Sequence, residues 1–236
     1  MQLFYNPSLD NSANQFSFNK EESKHIVKVL RKKEGDELYI TNGRGVLFTA
    51  KILAADMNMC KAAIISTQKR NPKMFRLHLA VAPTKSAERY EWFLEKATEI
   101  GVHEITPILC HHSERKILKM ERLQKVVQSA MKQSLRTYLP KINNPVSYSE
   151  FLSQDHKELL FIAHCEEEEK LDLKRCILAD KDVTILIGPE GDFSQKEIKE
   201  AYENNFLSIS LGEARLRTET AAIVACTAVA LINSGS

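Results

Sequence analysis

VTILIGPEGDFS, residues Val183–Ser194, decides how the chain is read. Its β-branched and leucine run from Thr184 to Ile187 empties into Gly188-Pro189-Glu190-Gly191. A short unbroken apolar run closed by glycine and proline predicts a buried strand ending in a tight turn. A second stretch, SLGEARLRTETAA at Ser210–Ala222, repeats the plan. There Ile209 and Leu211 close a short strand, Gly212 breaks it, and a polar loop ending in Arg217-Thr218-Glu219-Thr220 leads into an apolar helix. Two strand ends that spill into glycine-containing loops predict a crevice at the carboxyl edge of an α/β sheet, where such folds hold small ligands.

The neighbouring segments support that reading. Ser194 with Glu197 predicts a capping box for the helix after the first loop. Ala221–Ile232 carries no charge, and a helix apolar on every side is expected to be buried twice, against its own sheet and against a second subunit. That pattern predicts a homodimer. Upstream, Leu77–Ala82, Ile105–Leu109 and Leu159–Ala163 read as strands. Tyr90, Phe93, Leu94, Ala97 and Ile100 mark a helix closed by Gly101, with Trp92 expected in its core. A second helix is predicted from Glu121 to about Arg136, with Leu123, Val126, Val127 and Ala130 inward, ending before Pro140. Strands alternating with helices at these lengths predict an α/β domain with a mostly parallel sheet covered on both faces. The acidic run Glu166–Glu169 reads as a solvated loop, and Cys110-His111-His112, without metal-ligand spacing, as a surface turn.

The first third has a different texture. After a short strand, Asn19 and Glu22 form a plausible cap for a helix to about Leu30, with Ile26, Val29 and Leu30 inward, and Gly35 ends the segment. Leu38–Thr41 and Val46–Leu53 flank Asn42-Gly43-Arg44-Gly45, a hairpin signal, and Lys61–Ser66 adds another strand. A small β-barrel is expected up to about residue 68, then a polar linker, Gln68 to Lys73. The expected domains are residues 1–70 and 74–236.

Composition bounds the possibilities. With 236 residues, 43% of them hydrophobic, the chain can bury a sizeable core beside a smaller domain. Its net charge of +2 is too mild to argue for nucleic acid by itself, so the placement of cations must do so. Five cysteines without a CxxC pair fit reduced thiols better than a disulfide framework, and no metal motif is present. Neither a signal peptide nor a membrane-length apolar run is found, so a soluble, cytoplasmic protein without membrane or metal partners is expected.

Gly188-Pro189-Glu190-Gly191 is neither GxGxxG nor a P-loop, and a tight turn needing two glycines explains it as well as a ligand loop does. The second loop shifts the balance. Arg215, Arg217 and Glu219 beside a strand end are costly to bury unless paired or touching something charged, against the plainer reading of a surface salt bridge.

Together, IGPEGDFS and LGEARLRTETAA, with HIVKVLR near the N-terminus, EKATEIGVHEITP mid-chain and AMKQSLRTYLPKI after it, resemble the bacterial 16S ribosomal RNA uridine N3-methyltransferases of the SPOUT class. The resemblance covers essentially the whole chain in order. It implies an N-terminal PUA-like β-barrel for RNA and a C-terminal trefoil-knotted α/β domain that binds S-adenosylmethionine. It also implies a homodimer with active sites at the interface. Carried over by position, the adenosylmethionine pocket includes Ile187, Gly188, Glu190, Gly191, Leu211, Gly212, Leu216, Arg217, Thr218 and Ala221. The chain departs from the family pattern at Asp192, where a second glycine is usual, and at Ala214-Arg215, where many members have arginine and then an aliphatic residue.

Methyl transfer from a sulfonium needs an aligned nucleophile and removal of the uridine N3 proton. That N–H is about as weak an acid as a tyrosine phenol, so a cation beside O2 or O4 helps by stabilising developing charge. Arg217 and Arg136 are candidates for the cation, and Glu219 for the base or for the group that fixes Arg217 and its loop. For RNA, Lys125, Lys132 and Arg136 lie at helical spacing along one expected stripe that can track phosphates, a pattern solvated lysines also produce. His25, Lys28, Arg31 and Arg44 add positive charge in the N-terminal domain, and Lys85 joins the set from its motif-like position. The expected partner is 16S ribosomal RNA, within an assembled small subunit. The rival readings are a non-catalytic RNA-binding assembly factor and a methyltransferase for another ribosomal or transfer RNA base.

Overall fold

In a computed structural model, residues 2–234 are described. The chain divides into two compact units, Met1–Pro72 with Met131–Leu139, and Lys73–Ala130 with Pro140–Ser236.

The first unit holds β1 (Leu3–Tyr5), β2 (Gln15–Ser17), α1 (Lys20–Lys24), β3 (Glu37–Thr41), β4 (Val46–Ala54) and β5 (Lys61–Lys69). Asn19 caps α1 by accepting a hydrogen bond from the Glu22 amide at 2.9 Å. The five strands form one sheet in the order β1-β3-β4-β5-β2, the sheet of the small β-barrel expected there. Its core gathers Phe4, Ile26, Leu38, Ile40, Phe48 and Ile52. Beyond Lys24 the helix widens into a π-turn, His25–Val29. The wider turn changes which residues face inward. Ile26 is fully buried and Leu30 packs on the core, but Val29 is 67% exposed, contrary to expectation, and Val27 packs inward instead.

Met131–Leu139 docks on the β3–β4 hairpin. Leu139 donates to the Gly43 carbonyl at 2.9 Å, and the Thr41 hydroxyl donates to the Thr137 carbonyl at 3.0 Å. A Cβ on Gly45 would lie 2.2 Å from the Tyr138 ring, and its φ of +84° is itself left-handed, so glycine is required there twice over.

The second unit runs β6 (Leu77–Val81), α2 (Ala87–Ile100), β7 (Glu104–Leu109), α3 (Met120–Gln133), β8 (Lys141–Ile142), β9 (Val146–Ser147), α4 (Tyr148–Leu152) and β10 (Leu159–Ala163). It continues with β11 (Leu171–Asp172), α5 (Leu173–Cys176), β12 (Val183–Ile187), α6 (Gln195–Glu203), β13 (Leu207–Ser210) and α7 (Thr218–Ile232). The last residues of α3, from Met131, count with the first unit. All strand pairs are parallel, in the order β11-β13-β10-β12-β6-β7-β8, with β9 also on β7. Every residue of β12 is buried, as a strand covered on both faces requires. Ala80, Ile162 and Leu186 pack with Phe151 of α4 and Ile198 and Ala201 of α6. Helix α7 packs with α2 and α5 and lies over β6 and β12.

Two helical expectations are corrected. α3 ends at Gln133, because Leu135 adopts a left-handed φ of +57°, and Arg136 therefore leaves the Lys125–Lys132 stripe. Trp92 is 45% exposed on α2 rather than in the core, because Phe93 and Leu94 take the inward positions. No described helix is long and apolar enough to cross a membrane.

A polar cluster lies at the sheet edge opposite the carboxyl ends. Glu104 is ion-paired with Arg76 and with Lys141 at 3.1 Å, and accepts from the Asn143 amide at 2.6 Å. His78 Nε2 lies 2.7 Å from the Thr106 hydroxyl. Burial, reinforced by the nearby Arg76 charge, pushes the His78 imidazole down to about 4. The fold thus prefers the neutral ring, and the stability it contributes is complete above about pH 6.5, the ordinary histidine value. It is lost as pH falls from there through about 4, a difference of roughly 3 kcal/mol. Denaturant titrations of wild type and His78→Gln between pH 7 and 4 should show a smaller acid loss in the variant; parallel curves would rule this out.

Candidate functional site

Parallel pairing of β13, β10 and β12 brings Ser210, Ala163 and Ile187 to one sheet edge, so three loops open side by side. Between the β10 and β13 loops lies a cavity of about 360 Å³ lined by Ala163, His164, Cys165, Lys170, Ile209–Leu216 and Ala221. A neighbouring cavity of about 310 Å³ is lined by Cys165, Ile187–Glu190, Asp192, Arg215–Thr218 and Ala221. The two share Cys165, Arg215, Leu216 and Ala221, so they form one crevice.

Specific bonds set its shape. The buried Thr218 hydroxyl donates to the Gly188 carbonyl at 2.9 Å and ties the two motif loops together. Asp192, at φ +62°, accepts from the Cys165 amide at 2.7 Å and from the Phe193 amide at 2.8 Å, which ties in the β10 loop. Its own amide closes the turn on the Pro189 carbonyl at 2.9 Å. Glu190 turns its carboxylate to the Lys85 amide at 2.9 Å and holds the β6–α2 loop, whose carbonyl at Lys85 also accepts from Arg115 at 2.6 Å.

A Cβ on Gly188 would stand 3.0 Å from two Phe193 ring carbons and 3.3 Å from the Phe193 amide nitrogen. Phe193 is itself buried in the sheet core, so the turn would have to yield. Gly188→Ala is expected to keep the chain folded while weakening ligand binding about tenfold, the cost of a displaced wall. Calorimetry against wild type checks this, and unaltered affinity would show that the close approach does not shape the pocket.

Of the residues expected around the ligand, Ile187, Gly188, Glu190, Leu211, Gly212, Leu216, Arg217, Thr218 and Ala221 line the crevice, and Gly191 sits in the same turn. Arg217 is the exposed cap residue of α7. Glu219, in the first turn of α7, has a side chain only 7% exposed, with Oε1 3.8 Å from Arg89 Nε. Its Oε2 has no hydrogen-bond partner among the described residues. The cation at Glu219 is therefore Arg89 of α2 rather than Arg217.

The β10 wall was not foreseen. His164 is buried, with Nε2 2.9 Å from the Ser208 hydroxyl, 3.0 Å from that of Tyr202 and 3.2 Å from Glu168 Oε1. Burial and the Lys170 ammonium hold its imidazole below the ordinary histidine value. Glu168 accepts the Tyr202 hydroxyl, so one member of the acidic run is tied down rather than solvated. Lys170 donates to the carbonyls of His164 at 2.8 Å and Glu166 at 2.6 Å.

The other predicted cations are scattered. In the first unit Lys28 and Arg31 are exposed, and His25 Nε2 lies 3.2 Å from the Gln2 amide. Arg44 donates to the Pro7 and Leu9 carbonyls at 2.8 and 3.0 Å. Lys132 pairs with Glu22 at 3.3 Å, and Arg136 is half-buried. Lys85 and Lys125, in the second unit, are exposed, with Lys85 paired to Glu114 at 2.9 Å.

Residues 70–230 match a family model described as an RNA methyltransferase domain, and residues 18–65 one described as an RNA methyltransferase PUA domain. The parallel sheet, its crevice and the appended sheet are thus those of an RNA methyltransferase. Ribosomal RNA small subunit methyltransferase E of Rickettsia conorii is 34% identical over 214 residues, covering 89% of this chain and 87% of that one. A crystal structure from Porphyromonas gingivalis described as a probable rRNA-methyltransferase is 39% identical, with a TM-score of 0.91 and 99% of both chains covered. Ribosomal RNA small subunit methyltransferase E from Neisseria gonorrhoeae, solved bound to S-adenosyl methionine, is 27% identical with a TM-score of 0.86, covering 99% of this chain and 98% of that one. The chain belongs to the ribosomal RNA small subunit methyltransferase E family.

Proposed function

We propose that this chain transfers the methyl group of S-adenosylmethionine to N3 of a uridine in 16S ribosomal RNA, in the cytoplasm, on an assembled small subunit and as a homodimer. The observation that carries this reading is the crevice whose two motif loops are latched by the Thr218–Gly188 hydrogen bond. The residues present fit adenosylmethionine. Gly188 lets the turn close tightly on Phe193 at the pocket wall, and the lining mixes aliphatic side chains with backbone groups and charges of both signs. The bound donor supplies an electrophilic methyl on a positively charged sulfur.

The chain's own residues do the rest. Ile187, Leu211, Leu216 and Ala221 exclude water, and backbone groups of the three loops orient the ligand. Arg217 stabilises negative charge on a uridine oxygen as the N3 proton passes to solvent water; Arg136 is the alternative cation. Glu219 holds Arg89 and the first turn of α7, where its carboxylate also meets the positive end of the helix. His25, Lys28, Arg31, Arg44, Lys85, Lys125 and Lys132 offer charge to the RNA backbone. The uncharged stretch of α7 from Ala221 to Ile232, with Leu231 66% exposed, supports a partner copy. The strand order, with β12 set between β10 and β6, fits a trefoil-knotted chain.

The test is methyl transfer from labelled adenosylmethionine to naked 16S RNA and to purified small subunits, followed by nucleoside mass spectrometry. N3-methyluridine from the subunits is expected. Methyl on another base moves the target, and RNA binding without transfer or donor binding supports the assembly factor. Light scattering should return twice the chain mass.

A further inference from the structure

We infer that Asp192 is the residue by which the pocket distinguishes a cationic sulfonium donor from its neutral thioether product. This rests on the reading that the crevice takes adenosylmethionine.

Four charged side chains line the smaller cavity: Glu190, Asp192, Arg215 and Arg217. The two guanidinium groups disfavour any cationic ligand beside them. Glu190 turns its carboxylate to the Lys85 amide and Glu213 lines only the larger cavity, so in the smaller one the carboxylate left to offset them is Asp192. Each of its oxygens accepts one backbone amide, from Cys165 and from Phe193. A carboxylate has about four acceptor sites, so with the Cys165 thiol also hydrogen-bonded to it one stays open while the group is held by two fixed backbone donors. The backbone there is left-handed, at φ +62°. Glycine would occupy that position without strain, so a side chain in it calls for an offsetting role. The field of the carboxylate reaches the pocket wall. The thiol of Cys165, which lines both cavities, is pushed up first by burial and then by Asp192.

Donor and product share the adenosine, the ammonium and the carboxylate. They differ in the sulfur charge, which a trialkyl sulfonium cannot satisfy through hydrogen bonds and which a fixed carboxylate favours through space. After transfer that attraction disappears, so Asp192 speeds product exchange as well as donor choice.

The experiment is calorimetry of adenosylmethionine and adenosylhomocysteine on the full chain, for wild type, Asp192→Asn and Asp192→Gly. Both replacements tolerate the left-handed backbone, and asparagine keeps an acceptor for the Cys165 amide. The ratio of donor to product affinity should fall roughly fivefold in both variants, the size of a half-exposed charge pair, whatever weakening the lost loop tie adds to both ligands alike. Equal weakening of both ligands would overturn the inference, since it would make Asp192 a latch or a partner of the shared ammonium. An unchanged ratio in variants that still bind would overturn it too. A wild-type chain that binds neither ligand overturns the pocket reading itself, and the inference with it.

Discussion

Replacing Arg217 by alanine is expected to cut methyl transfer about a hundred- to thousandfold, the range found when a preorganised group aimed at developing charge is removed. Arg217 is exposed and its backbone, at φ −71° and ψ 155°, caps α7 without a side-chain hydrogen bond. Removing the side chain therefore breaks no buried contact, and stability should move by less than about 0.5 kcal/mol. The helix start also survives, because the Ala221 amide still donates to the Arg217 carbonyl at 2.8 Å. Single-turnover rates at saturating donor, with a thermal melt as control, decide the matter. Near wild-type turnover would move the role of the cation to Arg136.

Glu219→Ala is expected to lose most methylation, tenfold or more, with almost no loss of stability. The two effects separate because the Glu219 carboxylate is poorly satisfied: one oxygen lies 3.8 Å from a half-exposed arginine and the other has no hydrogen-bond partner among the described residues. Burying such a group costs folding energy, so its removal relieves about as much as it forfeits. What disappears is the hold on Arg89 and on the first turn of α7, which carries Thr218 and hence the bond to Gly188. A variant whose melting temperature falls by ten degrees, or one with normal turnover, would contradict this assignment.

Much of the second unit was legible in the sequence because its elements announce themselves locally. The run from Val183 to Ile187 is buried at every position, Gly101 ends α2 in a left-handed conformation, and the Ser194–Glu197 capping box forms as its spacing implied. What stayed hidden depends on distance in the chain. That β10 lies beside both β12 and β13 is a matter of strand order, so the wall formed by His164 and Cys165, and its tie to Asp192, had no local signal. The docking of Met131–Leu139 on the β3–β4 hairpin is equally non-local. Other differences are single-residue backbone events. The π-turn at His25–Val29 turns Val29 outward, and Leu135 enters the left-handed region without being glycine or asparagine, the residues that usually mark a helix end.

The most direct measurement is titration of adenosylmethionine into the purified chain by calorimetry, in parallel with Gly188→Val. Saturable binding to wild type at one donor per chain, abolished when a branched side chain is forced against Phe193, is the predicted result. No binding to wild type at millimolar donor, or full binding to the variant, would contradict a methyl-donor pocket between these loops.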